Sequence, residues 1–438
     1  MSDTDSPTTP PEGLRALFAE RFGAEALSRE GLVCASAPGR VELAGNHTDL
    51  QGGRTISAAV DRRCWALAAP NGGRVAHVLM EGFGEAAIEL DDLSPREEER
   101  QSSAALVRGM GAARAEAGGR LEGFDMAVVS DVPAGRGISS SAAFEMLVGQ
   151  AMAALFDEPG AAGPDKVELA LAGMRSEQEW FGKLAGAQDQ LASCFGGVNE
   201  LDFAQATPRV APIDFDPAIL GCRIVLVDAA CDHARYPEDF SDISRDMYKV
   251  AQALGAERLI EVPRERFFDE LDGLRARLGD RAVLRALHFY EETARVERQA
   301  RALREGDPAR FLALVRQSGA SSAEFLQNIS PRSEVEGTEQ PAAVVLALCA
   351  HLLDGTGAPG EPRPAAEGGA RGQAGGARGA CRIHGGGFGG AALAFVPEAQ
   401  ADSFVEEMDR LLGYAACMPV RLSPQGACAR RLAWRRPS

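Results

Sequence analysis

Residues 132–143 read Val-Pro-Ala-Gly-Arg-Gly-Ile-Ser-Ser-Ser-Ala-Ala, a glycine-rich turn that runs directly into three serines. The apolar residues that follow recur at the spacing of one buried helix face: Phe144, Leu147, Val148, Ala151, Met152 and Leu155. The serines therefore fall at a helix start, where backbone N–H groups have no intrahelical partner and the helix dipole is positive. Such a start binds anions, phosphate above all. A serine that merely caps the helix would account for one of these residues, but not for two glycines and three serines.

The segments on either side of this turn predict a mixture of strands and helices. Phe124–Val129 is a short apolar run that predicts a strand leading into the turn, and Thr55–Ala69 is also β-rich. Helical patterns cover Leu14–Phe22 and most of residues 242–325, whereas Arg223–Asp228 predicts a further buried strand. We therefore predict an α+β fold in two layers.

The length of the chain predicts more than one domain. At 438 residues it is longer than one hydrophobic core usually supports, so we expect domains at residues 1–220 and 221–438. Residues 355–380 form a low-complexity stretch rich in glycine, alanine and proline, which cannot build a core. We interpret this stretch as a disordered surface insertion, with a mobile lid over a bound ligand as the alternative.

The net charge argues against two classes of partner, and the N-terminal sequence argues against a signal peptide. The net charge of −17 disfavours nucleic acids and anionic membrane surfaces. The first residues, Met-Ser-Asp-Thr-Asp-Ser-Pro, are acidic and polar and do not resemble a signal peptide. We expect a cytoplasmic protein with no nucleic-acid or membrane partner, and we favour a monomer.

A second motif lies upstream, after a predicted strand at Gly31–Ala37. Residues 38–53 read Pro-Gly-Arg-Val-Glu-Leu-Ala-Gly-Asn-His-Thr-Asp-Leu-Gln-Gly-Gly. Glycines let the backbone turn tightly and approach a ligand, and the polar side chains between them suit a hydroxyl-rich small molecule. An ordinary polar surface loop would look the same in isolation.

A third motif lies near the C-terminus, where residues 382–396 read Arg-Ile-His-Gly-Gly-Gly-Phe-Gly-Gly-Ala-Ala-Leu-Ala-Phe-Val. Gly385, Gly387 and Gly390 match the dinucleotide pattern G-x-G-x-x-G. The apolar residues that follow predict a short strand, however, whereas that pattern requires a helix. A glycine hairpin lying against a ligand or another loop is the better interpretation.

These three motifs, in this order, resemble those of the GHMP kinase superfamily, and the first along the chain resembles its galactokinase branch. A fourth segment, residues 177–193, is similar to the family stretch that ends in a catalytic Asp-Gln pair. The resemblance covers residues 30–435, nearly the whole chain. It implies the two-domain GHMP kinase fold, with the active site in the cleft between the domains and with ATP and Mg²⁺ as cofactors.

The resemblance also implies roles for individual residues. The implied catalytic residues are Arg40 and Asp189, the aspartate accepting or orienting the proton of the attacking hydroxyl and the arginine holding it ionised. The implied ATP-binding residues are Pro133, Gly135, Gly137, Ser139, Ser140, Ser141, Gly386 and Gly387. The implied Mg²⁺ ligands are Ser139, Ser140 and Glu177. The implied sugar-binding residues are Asn46, His47, Asp49, Gly186 and Phe240.

Structural roles for the same residues remain open at this point. Asp189 also suits a helix N-cap, and Arg40 an ordinary surface salt bridge. Glu177 could equally be a solvated residue on a helix, and His47 could equally have a purely structural role.

Several positions depart from the family pattern. The usual Gly-Glu-His-x-Asp-Tyr is Gly-Asn-His-Thr-Asp-Leu here, so Asn46 replaces a carboxylate, and we expect it to face a peripheral hydroxyl of the sugar. Phe240 would keep the ring of a sugar-facing tyrosine without its hydroxyl. The Gly-Asn-His-Thr-Asp version, with His288-Phe-Tyr and Ser318-Gly-Ala-Ser-Ser, resembles a bacterial galactokinase-like subgroup.

The function that the resemblance implies is ATP-dependent phosphorylation of the anomeric hydroxyl of D-galactose. One alternative is another GHMP-family kinase, acting on arabinose, an amino sugar or a heptose phosphate. A non-catalytic sugar sensor on the same fold is the other, and the presence of Arg40, Asp189, Glu177 and the serine turn argues against it.

Overall fold

The computed structural model describes residues 10–133, 135–158, 160–231, 236–332, 339–354 and 379–432. The strands are β1 Val33–Ala44, β2 Arg54–Pro70, β3 Val75–Met80, β4 Gly84–Glu89, β5 Phe124–Ser130, β6 Val198–Asp202, β7 Arg209–Pro212, β8 Cys222–Asp228, β9 Ala380–His384, β10 Ala391–Pro397, β11 Cys417–Val420 and β12 Cys428–Arg431. The helices are α1 Glu12–Phe22, α2 Ser103–Glu116, α3 Ser140–Phe156, α4 Lys166–Arg175, α5 Gln188–Phe195, α6 Pro237–Ala253, α7 Arg264–Asp269, α8 Leu271–Leu278, α9 Asp280–Arg304, α10 Pro308–Ser321, α11 Pro341–Leu353 and α12 Ala401–Leu412. Two π-helical turns, Ser176–Phe181 and Ser322–Leu326, extend α4 and α10.

The strands form two sheets. The larger sheet has the order β12-β1-β2-β5-β3-β4, with β6 and β7 added at β2, and the smaller has the order β11-β8-β10-β9. All pairs are antiparallel except β3 and β5. This mixture of sheets and covering helices confirms the predicted α+β fold.

The helix predicted after the serine turn is confirmed as α3, which packs on β1 and β2 of the larger sheet. Its predicted apolar face is buried throughout, at Phe144, Leu147, Val148, Ala151, Met152 and Leu155. Burial of this stripe in one core with the sheet stabilises α3, since helices in proteins are stabilised mainly by packing.

The predicted strands at Thr55–Ala69, Phe124–Val129 and Arg223–Asp228 are confirmed as β2, β5 and β8, and the strand after the third motif as β10. One boundary differs from the expectation. The strand before residue 38 continues through Arg40 to Ala44, with register shifts against β2 at Pro38–Arg40 and at Glu42–Ala44. Arg40 therefore projects from a strand of the main sheet, not from a loop.

The two-domain division at residue 220 stays a prediction. The two sheets divide near this residue, but β12 returns from the C-terminus to pair with β1 in the larger sheet. The low-complexity stretch at residues 355–380 lies almost wholly outside the described residues, so its role as insertion or lid is untested. No helix among the described segments combines the length and apolarity needed to span a membrane.

Candidate active site

Arg40 and Asp189 form a bidentate ion pair at the centre of the candidate site. Nε and Nη2 of Arg40 donate to the two carboxylate oxygens of Asp189 at 2.6 and 2.8 Å. Asp189 is the second residue of α5, and the N-cap of this helix is Ala187. Asp189 is therefore not a helix cap. Burial opposes the charge on Asp189, but the attraction and hydrogen bonds of Arg40 outweigh it and lower the pKa of Asp189. Asp189 is thus an ionised hydrogen-bond acceptor, and Arg40 is not a surface residue.

The glycine-rich turn meets this ion pair. The carbonyl of Gly137 accepts a hydrogen bond from Nη1 of Arg40 at 2.6 Å, and the hydroxyl of Ser139 donates to Asp189. The φ angles of Gly135, Gly137 and Ser139 are 74°, 82° and 56°, left-handed values that glycine adopts readily. The chain enters α3 directly after Ser139, so the unpaired N–H groups at the helix start lie at the end of this turn. Phosphate binding at this turn stays a prediction, which the geometry favours.

A carboxylate cluster flanks the start of α3. Glu177 is 2% exposed and therefore not a solvated helix residue. Its Oε1 accepts from Ser141 Oγ at 2.5 Å and from Lys183 Nζ at 3.2 Å, and its Oε2 accepts from Gln190 Nε2 at 3.1 Å. The same Gln190 amide reaches Glu145 at 2.9 Å. Burial and the neighbouring Glu177 raise the pKa of Glu145 well above its ordinary value.

The predicted Mg²⁺ ligands are only partly brought together. The hydroxyl that meets Glu177 belongs to Ser141, whereas the hydroxyl of Ser139 is directed at Asp189. Carboxylate and hydroxyl oxygens are the hard donors that Mg²⁺ prefers, so the residues present fit this ion. Among the described residues no group of three or more His, Cys, Asp and Glu side chains could hold a metal. Oxygens of a bound nucleotide and water molecules would therefore complete the coordination shell.

Asp49 and Gly186 lie against each other beside the ion pair. A Cβ atom at position 186 would overlap with the carboxylate of Asp49, so only glycine leaves this carboxylate its present place. Burial is the main cause that raises the pKa of Asp49 to about 7, and the charges of Glu42 and Asp189 add to it. The carboxyl group of Asp49 is therefore only partly ionised near pH 7. Its ionised form can accept hydrogen bonds from hydroxyls.

The structure also brings His47 and Phe240 together. Their ring centroids are 5.3 Å apart, and Phe240 comes from α6 in the second half of the chain. Nε2 of His47 lies 2.9 Å from the carbonyl oxygen of Gly386, and because a carbonyl only accepts, this nitrogen carries the proton. Burial lowers the pKa of His47, which keeps the ring neutral. Sugar binding by His47 and Phe240 stays a prediction.

The expectation that Asn46 faces a sugar hydroxyl is wrong. Asn46 is fully buried, and its Nδ2 donates to the carbonyl of Gly385 at 2.6 Å and to Oε1 of Glu42 at 3.3 Å. Its Oδ1 accepts from Ser322 Oγ at 3.2 Å and from Asn328 Nδ2 at 2.8 Å. An amide has two donors and two acceptor sites, and here all four are used by the protein. Asn46 therefore holds three parts of the chain together.

The two segments that resemble the bacterial subgroup meet at this residue. Nε2 of His288 lies 2.9 Å from the backbone oxygen of Asn46, and its Nδ1 lies 2.9 Å from Ser321 Oγ. Ser322, the neighbour of Ser321, contacts the Asn46 side chain directly. In this chain the three segments thus form one buried network.

The glycine hairpin after β9 packs on the motif at residues 38–53. The carbonyl of Gly386 faces His47, and a side chain at Gly387 would overlap with the backbone oxygen of Asn328. The expectation of a glycine hairpin lying against another loop is confirmed by these contacts. ATP binding by Gly386 and Gly387 stays a prediction.

Several residues of the site were not identified from the sequence. Arg382 is fully buried and donates to the backbone oxygen of Glu42 at 3.0 Å and to its carboxylate, which ties β9 to β1. No local signal reveals this pair, because its members are 340 positions apart. Glu145 could have been found, since it lies four residues after Ser141 and thus on the same helix face. Lys183 could also have been found, because it lies within residues 177–193, the segment that resembles the family.

The chain is similar in sequence to known proteins. Residues 16–70 match the galactokinase galactose-binding signature, and residues 104–197 match the GHMP kinase N-terminal domain. A galactokinase of Streptomyces coelicolor is 30% identical over 424 residues, which cover 95% of this chain and 97% of that protein. A galactokinase of Lactobacillus helveticus is 26% identical over 393 residues, covering 87% and 90%.

Similarity extends to solved structures. The crystal structure of Lactococcus lactis galactokinase complexed with galactose superposes with a TM-score of 0.76 at 22% identity, covering 96% of this chain and 99% of that one. At this level of identity the superposition shows the fold.

Proposed function

The chain belongs to the galactokinase family and is an ATP-dependent sugar kinase, and we propose that it phosphorylates the anomeric hydroxyl of D-galactose. The observation that carries this proposal is the junction of Arg40, Asp189 and Ser139 at the start of α3. There an ionised acceptor for a hydroxyl proton adjoins a helix start suited to a phosphate group.

In the proposed reaction the anomeric oxygen attacks the γ-phosphorus of ATP. The bond from that phosphorus to the β,γ-bridging oxygen breaks, ADP leaves with the bonding electrons, and the hydroxyl proton passes to Asp189 and then to solvent. The lowered pKa makes Asp189 a weak base. A weak base suffices because the transition state of phosphoryl transfer is loose, so the nucleophile keeps its proton until late. Asp189 thus mainly orients the hydroxyl, and Arg40 holds its carboxylate in place.

The nucleotide would be held chiefly by the backbone of Pro133 and of residues 135–141. The unpaired N–H groups at the start of α3 would donate to the phosphates, and the left-handed glycines at 135 and 137 would allow the close approach. Glu177 and the hydroxyls of the serine turn would hold Mg²⁺, which neutralises charge on the phosphate oxygens when bound.

The sugar would lie over Asp49 and Gly186, with the His47–Phe240 pair at its side. Asp49 can accept hydrogen bonds from two neighbouring hydroxyls, and the apolar edge of Phe240 suits the aliphatic face of a pyranose ring. Asn46 does not contribute directly, because its amide is fully engaged. A monomeric state, a cytoplasmic location and the absence of nucleic-acid or membrane partners are part of this proposal.

ADP release with a panel of acceptors tests the proposal. The panel contains D-galactose, L-arabinose, D-galactosamine and a heptose phosphate, and the product is identified by NMR of its phosphorus–anomeric proton coupling. We expect the highest kcat/KM with D-galactose and a phosphate on its anomeric oxygen. A higher kcat/KM with another acceptor would contradict the proposed substrate, and no ADP release with any of them would contradict the kinase mechanism at this site.

A further inference from the structure

Lys183 is a rare residue type in a chain that otherwise uses arginine for its positive charges. Of the 46 lysine and arginine residues only three are lysines, at positions 166, 183 and 249. A lysine carries a compact ammonium charge on a flexible stem, whereas arginine presents a planar fork that binds a carboxylate bidentately. A single mobile positive charge thus lies in the segment that leads to Asp189.

The position of Lys183 is set by Glu177 through both the backbone and the side chain. The backbone N–H groups of Gly182 and Lys183 donate to the carbonyl oxygen of Glu177, each at 2.9 Å, where the π-helical turn ends. Nζ of Lys183 lies 3.2 Å from Oε1 of Glu177, the same oxygen that accepts from the hydroxyl of Ser141. The ammonium group is therefore a near neighbour of the second residue of α3.

The ammonium group of Lys183 has donors that the protein does not use. An ammonium has three N–H donors, and among the described residues Glu177 is its one hydrogen-bond acceptor. The side chain of Lys183 is 39% exposed, so this charge borders the open site. The first intrahelical bond of α3 runs from Ala143 N to Ser139 O, which leaves the N–H groups of residues 140–142 without an intrahelical partner. A phosphate group bound by these N–H groups would lie beside Lys183.

The charge of Lys183 is also available to a ligand. Burial opposes this charge, but the neighbouring carboxylates, chiefly Glu177, outweigh it and raise the pKa of Lys183, so the group is an ammonium ion. Two other cations belong to the glycine-rich turn or contact it, and both are engaged. Arg40 donates through all three of its nitrogens, and Arg136 forms an ion pair with Asp228 at 3.1 Å.

We propose that Lys183 is a nucleotide-binding residue whose ammonium group donates to an oxygen of the β- or γ-phosphate of ATP at the start of α3. The inference rests on the proposed function, because it requires a nucleotide at this turn. Backbone N–H groups carry only partial charges, so Lys183 adds a full positive charge to the phosphate site. A lysine suits this role because a point charge can pass from the Glu177 carboxylate to a phosphate without breaking a bidentate pair.

Replacing Lys183 by methionine removes the charge and keeps an unbranched side chain. Lys249→Met is the matched control, because Nζ of Lys249 lies 3.6 Å from Oδ1 of Asp246, a carboxylate that is also nearly buried. The measurement is the calorimetric affinity for the ATP analogue AMPPNP, in EDTA and with Mg²⁺, in both cases without sugar. It is therefore independent of the identity of the sugar.

We expect Lys183→Met to lose roughly 10- to 100-fold in AMPPNP affinity in EDTA, the usual effect of removing a hydrogen bond to a charged group. The loss should be smaller with Mg²⁺, because the metal ion also neutralises the phosphate oxygens. Lys249→Met should bind AMPPNP within about twofold of the wild type. The inference is overturned if Lys183→Met binds like the wild type in EDTA, or if Lys249→Met is damaged equally. A wild-type protein that does not bind AMPPNP would contradict the proposed function as well.

A measurement on the unmodified chain covers the case in which Lys183→Met does not fold. Lysine labelled with ¹³C at the ε-carbon gives only three signals from this protein, and Lys166→Arg and Lys249→Arg identify two of them. The Lys183 signal should shift on addition of AMPPNP in EDTA, whereas those of Lys166 and Lys249 should not. A Lys183 signal that stays in place when calorimetry shows AMPPNP to be bound would overturn the inference and leave the kinase assignment intact.

Discussion

The guanidinium of Arg40 holds both carboxylate oxygens of Asp189, at 2.6 and 2.8 Å, across 149 positions of the chain. The planar fork of arginine matches a carboxylate in a way that a lysine cannot. Because Arg40 is nearly buried in β1 and Asp189 lies in the first turn of α5, the pair fixes the spacing between strand and helix. The carboxylate of Asp189, the proposed acceptor for the sugar hydroxyl, is thereby ionised and oriented before any substrate binds.

Replacing Asp189 by asparagine should lower kcat by roughly 10²- to 10⁴-fold, the usual contribution of a positioned acid–base group. The amide cannot accept the hydroxyl proton and leaves Arg40 without its counter-charge. ADP affinity, measured by calorimetry, should survive because the backbone groups of the phosphate turn are unchanged and the amide oxygen of asparagine can still accept from Ser139. Asp91→Asn is a matched control, since it breaks the exposed Arg74–Asp91 ion pair. A kcat near that of the wild type in a folded Asp189→Asn protein would remove Asp189 from the chemistry.

Gly186→Ala should raise the KM for the sugar with little change in the KM for ATP. A methyl group at this position would overlap with the carboxylate of Asp49 and push it out of the sugar site. Steady-state kinetics with both substrates measure the effect, which we expect to be about tenfold or more, corresponding to a lost hydrogen bond.

Gly273→Ala is the control for this change, because a Cβ atom there meets nothing within 4 Å. Equal sugar KM values in the two variants would show that Asp49 and Gly186 do not line the sugar site.

The KM for the sugar should fall as the pH rises through about 7. Burial raises the pKa of Asp49 to about 7, so below this pH the group is mostly protonated and a poorer acceptor for sugar hydroxyls. Bound sugar favours the ionised form, so affinity increases with pH and levels off above the pKa. One pH unit below it, the sugar KM should be about tenfold above its plateau value.

In Asp49→Asn the sugar KM should be high and independent of pH over the same range. The KM for ATP, measured in parallel, shows whether other groups titrate there. A flat sugar KM between pH 6 and 8 in the wild-type protein would mean that Asp49 is not the acceptor.

Asn46→Asp should destabilise the protein by about 1–3 kcal/mol, the cost of leaving buried groups unsatisfied. The change removes two donors, to Gly385 and Glu42, and places a second carboxylate beside Glu42. Asn46→Glu should destabilise the protein more strongly for the same reason. Neither variant should increase the selectivity for one sugar over another. Denaturant unfolding measures the effect, with the exposed Gln252→Glu as the control for an amide-to-carboxylate change. Unchanged stability in Asn46→Asp would contradict the buried network.

Much of the fold could be read from local patterns. The apolar stripe from Phe144 to Leu155 predicted α3, and the runs at Thr55–Ala69 and Phe124–Val129 predicted β2 and β5. Such elements are visible in a sequence because their periodicity is a property of neighbouring residues. The catalytic and phosphate-binding candidates were found for a similar reason, since each lies in a short motif whose glycines and polar residues are contiguous.

What the sequence by itself determined is therefore the set of elements, the kinase family and the candidate residues for the chemistry, whose roles stay predictions. The tertiary structure alone decided which polar groups are left for a substrate. Asn46 looked like a sugar-binding residue, but Ser322 and Asn328, 276 and 282 positions away, take up its oxygen. His384 looked like part of a glycine hairpin, but the backbone N–H of Glu42, 342 positions away, donates to its Nε2 and fixes its tautomer. A hydrogen bond depends on distance and direction in space, and neither is encoded in the spacing of residues along the chain.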